Sequence, residues 1–201
     1  MDLARARLYF VTDSIGPERL EAALVGGVDI VQLRLKDASD EEIVASARRF
    51  RAVCDRHDVL FVLNDRPDLV DECGADGVHV GQADASPASA RMAVGPDRIV
   101  GLSTHSREQI ERAADEPVDY VAVGPVFQTP TKPGRLPVGL ELVRFAAERL
   151  RAPWFAIGGI DVENAGDVLA AGAERLAVVR AIRDAADPEV AAGSLRAALP
   201  V

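Results

Sequence analysis

Short apolar runs rich in β-branched residues alternate with longer amphipathic stretches from one end of the chain to the other. Apolar runs of this kind are expected for the strands of a parallel sheet, because helices cover both of its faces. The longer stretches repeat apolar residues three and four positions apart, which is the period of an amphipathic helix. Strands are predicted over residues 8–13, 30–36, 60–65, 77–81, 99–104, 120–127, 154–159 and 175–182.

Several predicted helices begin with a recognisable N-terminal signal. Two residue pairs have the spacing of a capping box, in which two side chains satisfy backbone amides that the first turn leaves unbonded. These pairs are Ser39 with Glu42 and Ser106 with Gln109. Three prolines suit the first turn of a helix, where the missing N–H group costs nothing. They are Pro17, Pro87 and Pro188.

Eight strand–helix units predict a closed barrel. Spread over 201 residues they average about 25 residues each, the short end of the range for a (β/α)8 barrel. A doubly wound open sheet is the alternative, but it usually has five or six strands and often a glycine-rich turn after the first. That turn is absent, and no linker divides the chain. We therefore expect an α/β fold, a single-domain (β/α)8 TIM barrel over residues 1–201, with its active site at the carboxyl ends of the strands.

Net charge narrows the range of partners. The chain has 32 acidic and 23 basic residues, which gives a formal net charge of −9. Since no basic excess is available to neutralise phosphates, we expect neither nucleic acid nor a membrane surface as a partner. An anionic small-molecule substrate must instead be held by a local cluster of cations. The sequence leaves homo-oligomerisation open.

The sequence also predicts a cytoplasmic protein. Its start lacks an apolar segment followed by a small-residue cleavage site, and no run of eighteen apolar residues occurs. Cys54 and Cys73 show neither Cys-x-x-Cys spacing nor a nearby histidine pattern. We expect both to be reduced thiols that pack in the interior.

Lysine is rare, and both lysines fall on the predicted catalytic face. Lys36 ends the second strand, and Lys132 lies in the loop after the sixth. Alternation along a strand places Gln32 and Arg34 on the same side as Lys36, where they face the mouth of the barrel. Three polar side chains at the mouth of the barrel would be costly without a bound partner, so an anionic ligand is predicted there. The alternative is that Arg34 and Lys36 pair with local carboxylates such as Asp65.

Two carboxylates follow neighbouring strands. The third strand ends in Asn64 and Asp65, and Asp84 lies in the loop after the fourth. Such a pair suits Mg²⁺, which takes few protein oxygens and completes its octahedron with water and ligand phosphate. Asp65 could instead cap the next helix. That alternative is weaker for Asp84, because Ser86 already stands in the capping position before Pro87.

Hydroxyl and imidazole groups cluster around the fifth strand. Ser103 ends this strand, and because Ser106 takes the capping role, Ser103 is predicted to be free to donate a hydrogen bond to a ligand. His105 is either an acid or base or a solvated loop residue. His79 lies in an apolar strand and is expected to pack behind the site rather than react.

Two loops are candidates for a second phosphate site. The long loop over residues 128–138 contains Thr129, Thr131 and Lys132 and is predicted to be a lid. Gly159 follows the seventh strand, and Val179 and Arg180 end the eighth. Loops after these two strands often bind phosphate in such barrels, because bare glycine amides face the anion. A purely structural glycine turn is the alternative.

Seven segments, taken in order, resemble the thiamine-phosphate synthase family. They cover residues 9–13, 32–36, 64–66, 76–84, 103–105, 124–132 and 156–160. The resemblance implies a (β/α)8 barrel that joins 4-amino-2-methyl-5-hydroxymethylpyrimidine diphosphate to a thiazole phosphate and releases pyrophosphate. The thiazole substrate is implied to be 4-methyl-5-(2-phosphoethyl)thiazole or its carboxylated tautomer.

The resemblance also implies a role for each site residue. Gln32 holds the pyrimidine, and the diphosphate is surrounded by Arg34, Lys36, Asn64, Ser103 and Lys132. Asp65 and Asp84 bind Mg²⁺. The thiazole phosphate is received by Thr129, Thr131, Gly159, Val179 and Arg180. The family often has Glu at position 35, where this chain has an outward-pointing Leu35, and commonly Ser at position 180.

The family is understood to react dissociatively, so that Arg34, Lys36, Ser103 and Lys132 act on the departing diphosphate and no general base is required. A related thiazole tautomerase is the rival. It is expected to have histidine where this chain has Pro125 and to lack the carboxylate of Asp65, so both positions favour the synthase. A non-catalytic barrel that binds phosphate ligands is the remaining alternative.

Overall fold

The strands predicted from the pattern close on themselves into a parallel barrel. The computed structural model describes residues 2–13, 15–129 and 136–200. The eight strands are β1 (Leu8–Thr12), β2 (Ile30–Leu33), β3 (Leu60–Asn64), β4 (Gly77–Val80), β5 (Ile99–Thr104), β6 (Tyr120–Val123), β7 (Trp154–Ile157) and β8 (Leu176–Val178). The order follows the sequence, and β8 pairs with β1 through Ala177 and Tyr9. The (β/α)8 prediction is confirmed, and the open-sheet alternative is wrong.

Helices connect the strands on the outside of the barrel. They are α1 (Pro17–Val25), α2 (Asp40–His57), α3 (Val70–Cys73), α4 (Pro87–Val94), α5 (Arg107–Ala113), α6 (Gly139–Arg149), α7 (Ala165–Ala170), α8 (Arg180–Arg183) and α9 (Pro188–Ala198). Two short 3₁₀ helices cover Leu3–Arg5 and Pro67–Leu69. Across the described ranges, none of these helices is long and apolar enough to cross a membrane.

The helix starts largely follow their predicted signals. The three prolines each open a helix, and the reciprocal bonds of the Ser39 and Glu42 capping box are present. The second box is only half correct. The Ser106 hydroxyl accepts from the Gln109 amide, but the Gln109 side chain accepts from the backbone N–H of His105, one residue earlier than predicted.

Three strands, β2, β6 and β8, end at least three residues earlier than the apolar pattern predicts. The ladder stops at Leu33 in β2, although the next amide, of Arg34, still bonds to the Thr12 carbonyl. β6 ends before Pro125, which has no N–H to continue the ladder. The pattern places Arg180 at the end of the eighth strand, but this residue begins α8, because the backbone of Val179 turns away from extended geometry (φ −117°, ψ −82°).

Strand side chains divide between the barrel interior and the layer beneath the helices. The interior holds a compact group whose largest members are aromatic: Tyr9, Val11, Ile30, Val62, Tyr120, Phe155 and Ala177. The other strand faces pack against the helices in one continuous apolar cluster. Both cysteines are buried free thiols, and burial raises the pKa of Cys54 to about 12. The prediction of packed, reduced thiols is therefore confirmed.

An aspartate directly precedes each of the strands β2, β4 and β6. Each carboxylate accepts a hydrogen bond from a backbone amide at or near the start of the preceding strand, at Leu8, Phe61 and Val100. The aspartates are Asp29, Asp76 and Asp119, and each also meets an arginine. Ion pairs therefore stabilise the face of the barrel at the amino ends of the strands. In this fold the active site lies at the opposite face.

Candidate active site

A small cavity of about 80 Å³ opens at the carboxyl ends of the strands, and most of its lining comes from the first five. Most of the polar residues predicted for the pyrimidine diphosphate and the metal line it: Gln32, Arg34, Lys36, Asn64, Asp65, Asp84 and Ser103. Tyr9, Val11 and Ala177 of the barrel interior also line it. The strand ends thus bring together side chains that lie far apart in sequence.

Asp65 occupies an unusual position at the end of β3. Its backbone has a positive φ of 62°, and its amide bonds to the His79 carbonyl on β4. This geometry aims the carboxylate at Asp84, whose Oδ2 accepts from the Gly81 amide at 2.9 Å. Burial, the contact with Asp84 and its negative charge together raise the pKa of Asp65, while Lys36 opposes the rise. Two acidic groups are thus held in contact.

This carboxylate pair has the donor chemistry that Mg²⁺ requires. Mg²⁺ binds through one or two carboxylates and keeps several waters or phosphate oxygens, so two aspartates suffice. The residues that the structure describes contain no cluster of three or more acidic, histidine or cysteine ligands that would suit a closed protein cage. The chemistry of Asp65 and Asp84 is thus compatible with Mg²⁺.

The two basic residues of the small cavity behave differently. Lys36 lies 3.6 Å from the Oδ2 atom of Asp65, so it forms the local ion pair of the alternative, while its half-exposed ammonium group can still contact an anion. Arg34 makes no ion pair with any carboxylate in the described ranges. Its guanidinium therefore remains available to an anion, in a cavity that already holds two acidic groups.

Ser103 has a hydrogen-bond partner within the protein, although the sequence predicts it to be free. Its hydroxyl lies 2.9 Å from Nε2 of His79, and the Nδ1 atom of the same imidazole lies 2.9 Å from the Tyr120 hydroxyl. The expectation that His79 packs behind the site is confirmed by its burial, at 7% exposed. A serine hydroxyl can accept one hydrogen bond and still donate another, so Ser103 keeps its capacity to donate to a ligand.

A second, larger cavity of about 360 Å³ lies beyond Ser103, over the ends of β6, β7 and β8. It contains the described residues predicted for the thiazole phosphate: Thr129, Gly159, Val179 and Arg180. Gly159 has a φ of 68°, and a Cβ atom there would come within 2.8 Å of the Gln128 carbonyl. Only glycine fits this turn, which supports its structural role alongside any role in binding.

Arg180 is exposed at the rim of the larger cavity and makes no ion pair with a carboxylate of residues 2–13, 15–129 or 136–200. Its neighbour Arg183 differs, because it bonds to both Asp13 and Asp184. Each cavity therefore has one arginine without a close ion pair to a carboxylate of the described residues, Arg34 in the smaller and Arg180 in the larger, although the charge of Arg180 helps to lower the pKa of Asp184.

The two cavities adjoin. Ser103, Ile157, Ala177 and Val179 line both of them. Two small molecules bound side by side would therefore meet above these residues. Thr131 and Lys132, predicted for the diphosphate, the thiazole phosphate and the lid, lie outside the described residues.

Some site residues escaped the sequence analysis. Tyr9 and Tyr120 bond to each other inside the barrel, and Gln82 donates to the Ser103 carbonyl at 2.7 Å. Asp161 and Asp184 line the larger cavity. The tyrosines carried a usable signal, because a phenol hydroxyl in a buried apolar strand needs a hydrogen-bond partner. The other three look like ordinary surface residues.

Comparison with known proteins points in one direction. A family model described as thiamine monophosphate synthase matches residues 8–182. A thiamine-phosphate synthase of Thermus thermophilus is 55% identical over 180 residues, which cover 89% of this chain and 86% of the relative. The Acidothermus cellulolyticus enzyme of the same name is 48% identical, with 98% and 96% covered. A solved thiamine phosphate pyrophosphorylase from Pyrococcus furiosus superposes with a TM-score of 0.89 at 33% identity, covering 98% of this chain and 96% of that one.

Proposed function

Because the chain belongs to the thiamine monophosphate synthase family and is a transferase that makes thiamine phosphate, we propose that it joins a hydroxymethylpyrimidine diphosphate to a thiazole phosphate with release of pyrophosphate. One observation carries this proposal: two adjoining cavities with different polar groups meet at Ser103. A reaction that bonds two phosphorylated molecules needs two binding sites of this kind side by side.

The smaller cavity is proposed to receive the pyrimidine diphosphate. Gln32 is 3% exposed and has an amide at the cavity wall, which suits the hydrogen-bonding edge of a pyrimidine ring. Arg34, Lys36, Asn64 and Ser103 line the same cavity and supply donors for a diphosphate. Lys132, from the loop after β6, is proposed to complete this group.

The proposed chemistry is a dissociative substitution. The bond between the pyrimidine methylene carbon and the diphosphate oxygen breaks, and its electron pair leaves with pyrophosphate. Each cation about 4 Å from the departing oxygens contributes roughly 4 kcal/mol at an effective dielectric near 20, before desolvation costs. Arg34 and Lys36, together with Lys132, are therefore proposed to lower the barrier as preorganised electrostatics.

Mg²⁺ is proposed to be held by Asp65 and Asp84. When bound, it would add positive charge beside the diphosphate and help to orient it. The raised pKa of Asp65 supports this assignment, because two carboxylates in contact are relieved by a cation between them. The protein's own part is to keep both carboxylates facing the diphosphate cavity.

The larger cavity is proposed to receive the thiazole phosphate. Its phosphate would meet Arg180, the hydroxyls of Thr129 and Thr131 and the backbone near Gly159 and Val179. The thiazole nitrogen then forms the new C–N bond with its own lone pair, so no side chain has to remove a proton. We also propose that the protein acts in the cytoplasm, since its two described thiols are buried and free.

The test is to incubate the purified protein with both substrates and Mg²⁺ and to measure thiamine phosphate and pyrophosphate. The proposal predicts equal amounts of the two products, and their loss when the metal is chelated. Isomerisation of the thiazole without pyrophosphate release would instead identify a tautomerase. Binding of both phosphates without any conversion would identify a non-catalytic barrel.

A further inference from the structure

Five buried polar side chains form an unbroken hydrogen-bonded chain across the interior of the barrel. Gln32 Nε2 lies 2.6 Å from the Tyr9 hydroxyl, which lies 2.8 Å from the Tyr120 hydroxyl. His79 continues the chain, with Nδ1 2.9 Å from Tyr120 and Nε2 2.9 Å from Ser103 Oγ. All five residues are at most 7% exposed. The chain therefore connects two candidate ligand-binding groups on β2 and β5.

The rings in this chain are held in place by their neighbours. A Cβ atom on Gly101 would overlap the Tyr120 ring, so this ring fills the space that the glycine leaves. The Phe155 ring packs edge-on against Tyr9 and Tyr120, with centroid distances of 5.3 and 5.6 Å. Burial raises the pKa of both tyrosines well above the ordinary value, so both hydroxyls keep their protons. The two tyrosines at the centre of this hydrogen-bonded series are thus closely packed and uncharged.

The hydrogen bonds can all run in one direction. The Gln32 amide nitrogen only donates, so Tyr9 accepts from it and turns its own proton toward Tyr120. Tyr120 then donates to Nδ1 of His79, which places the imidazole proton on Nε2, where it donates to Ser103. The Ser103 proton is therefore turned away from His79 and toward the cavities that Ser103 lines.

With this direction of donation, Oε1 of Gln32 remains able to accept a hydrogen bond from a ligand. If the Gln32 amide is reversed, Oε1 accepts from Tyr9 and every proton in the chain turns around. Ser103 then donates to His79 and presents lone pairs to the ligand, which repel an anion. When the imidazole of His79 carries a single proton, the direction of the Gln32 amide would thus set whether the Ser103 hydroxyl donates to a diphosphate.

We propose that Tyr9, Tyr120 and His79 are positioning residues that transmit the orientation of the Gln32 amide to the Ser103 hydroxyl. Recognition of an N–H donor on the pyrimidine ring by Gln32 Oε1 then directs the Ser103 proton at the diphosphate of the same substrate. A pyrimidine without that donor would lose both contacts together. The inference rests on the proposed function, since it assumes that both groups bind one pyrimidine diphosphate.

The test compares Tyr120→Phe in two backgrounds, the wild type and Ser103→Ala. In the wild type, kcat/KM for the pyrimidine diphosphate is expected to fall about tenfold, the scale of one lost hydrogen bond to a charged group. In the Ser103→Ala background the same change should cost less than about twofold, because the hydroxyl that the chain orients is already gone. Tyr9→Phe breaks the chain one step earlier and should show the same dependence on background.

Thr104→Val is the matched control. It also deletes one fully buried hydroxyl, which donates to the Ala122 carbonyl and has no part in the chain. Its effect on kcat/KM should be small and equal in both backgrounds. Losses from the tyrosine variants that are equal with and without Ser103 would overturn the inference, as would no loss at all. A wild-type protein without synthase activity would contradict the proposed function instead.

Discussion

The ammonium group of Lys36 lies 3.6 Å from the carboxylate of Asp65, which itself contacts the carboxyl group of Asp84. One cation therefore faces two acidic groups at the mouth of the smaller cavity. Arg34 of the same cavity balances the remaining negative charge, so a diphosphate bound here would add charge that a divalent cation would offset.

Asp65→Asn should abolish most turnover without lowering stability. Asparagine tolerates the positive φ at this position, so the turn survives. The pKa of Asp65 is raised, so its ionised form costs stability at pH values above the folded-state pKa, and this cost disappears as the pH falls through that pKa. The free energy of unfolding at neutral pH is therefore expected to stay equal or rise. Denaturant unfolding checks the predicted stability, and a pyrophosphate-release assay checks the predicted loss of turnover. A variant that is destabilised but active would contradict both predictions.

Lys36→Ala is expected to lower kcat about a hundredfold, the scale of removing one preorganised charge from a transition state. Lys132→Ala should have a loss of similar size if the loop after β6 reaches the same diphosphate. Arg149→Ala is the control, because it also removes one positive charge but from an exposed side chain that packs on α6 against Phe145. Steady-state pyrophosphate release should be normal for this control, and equal rates in all three variants would refute the charge argument.

Arg180→Ala should raise KM for the thiazole phosphate about tenfold, the scale of a lost charge-assisted hydrogen bond, and leave KM for the pyrimidine diphosphate unchanged. Arg180→Ser, which restores the residue common in the family, should recover part of the loss. Arg183→Ala is the neighbouring control, because that side chain is already bonded to Asp13 and Asp184. Two-substrate kinetics separate the KM values, and an effect of Arg180→Ala on the pyrimidine side alone would reject its assignment.

Asp119→Ala should reduce the free energy of unfolding by about 1–3 kcal/mol and leave kcat near normal. Its Oδ2 accepts from the Val100 amide at 2.7 Å and also bonds to Arg91, at the face of the barrel opposite the site. Removing it leaves a strand amide without its acceptor. The exposed Asp115 provides the control variant, Asp115→Ala, which should unfold like the wild type in the same denaturant titration.

The fold followed from the sequence because hydrophobic periodicity acts locally and repeats in every unit. The predicted strand ends are less accurate, because the apolar run through Val179 continues into α8. Only the backbone dihedral angles of Val179 show that the strand has ended. The aspartates before β2, β4 and β6 were missed, although each precedes an apolar strand. Their role depends on an amide in the preceding strand, a contact that no single segment displays.

Site residues at strand ends could also be predicted, because the barrel gathers all such ends on one face. Gln32, Asp65 and Ser103, which the pattern places on this face, all line the smaller cavity. The Tyr9–Tyr120 bond could not be, since it joins strands that are not neighbours in the sheet and depends on barrel closure. The sequence leaves the pairing of Lys36 with Asp65 as one of two alternatives, because the choice depends on side-chain direction at the positive φ of Asp65.

The central claim is that two adjoining cavities hold the two substrates, the pyrimidine diphosphate in the smaller and the thiazole phosphate in the larger. A crystal structure with thiamine phosphate, pyrophosphate and Mg²⁺ tests it most directly. The pyrimidine ring should lie beside Gln32, the metal between Asp65 and Asp84, and the thiazole phosphate near Arg180. Both rings in one cavity, or a metal bound away from these two aspartates, would contradict the claim.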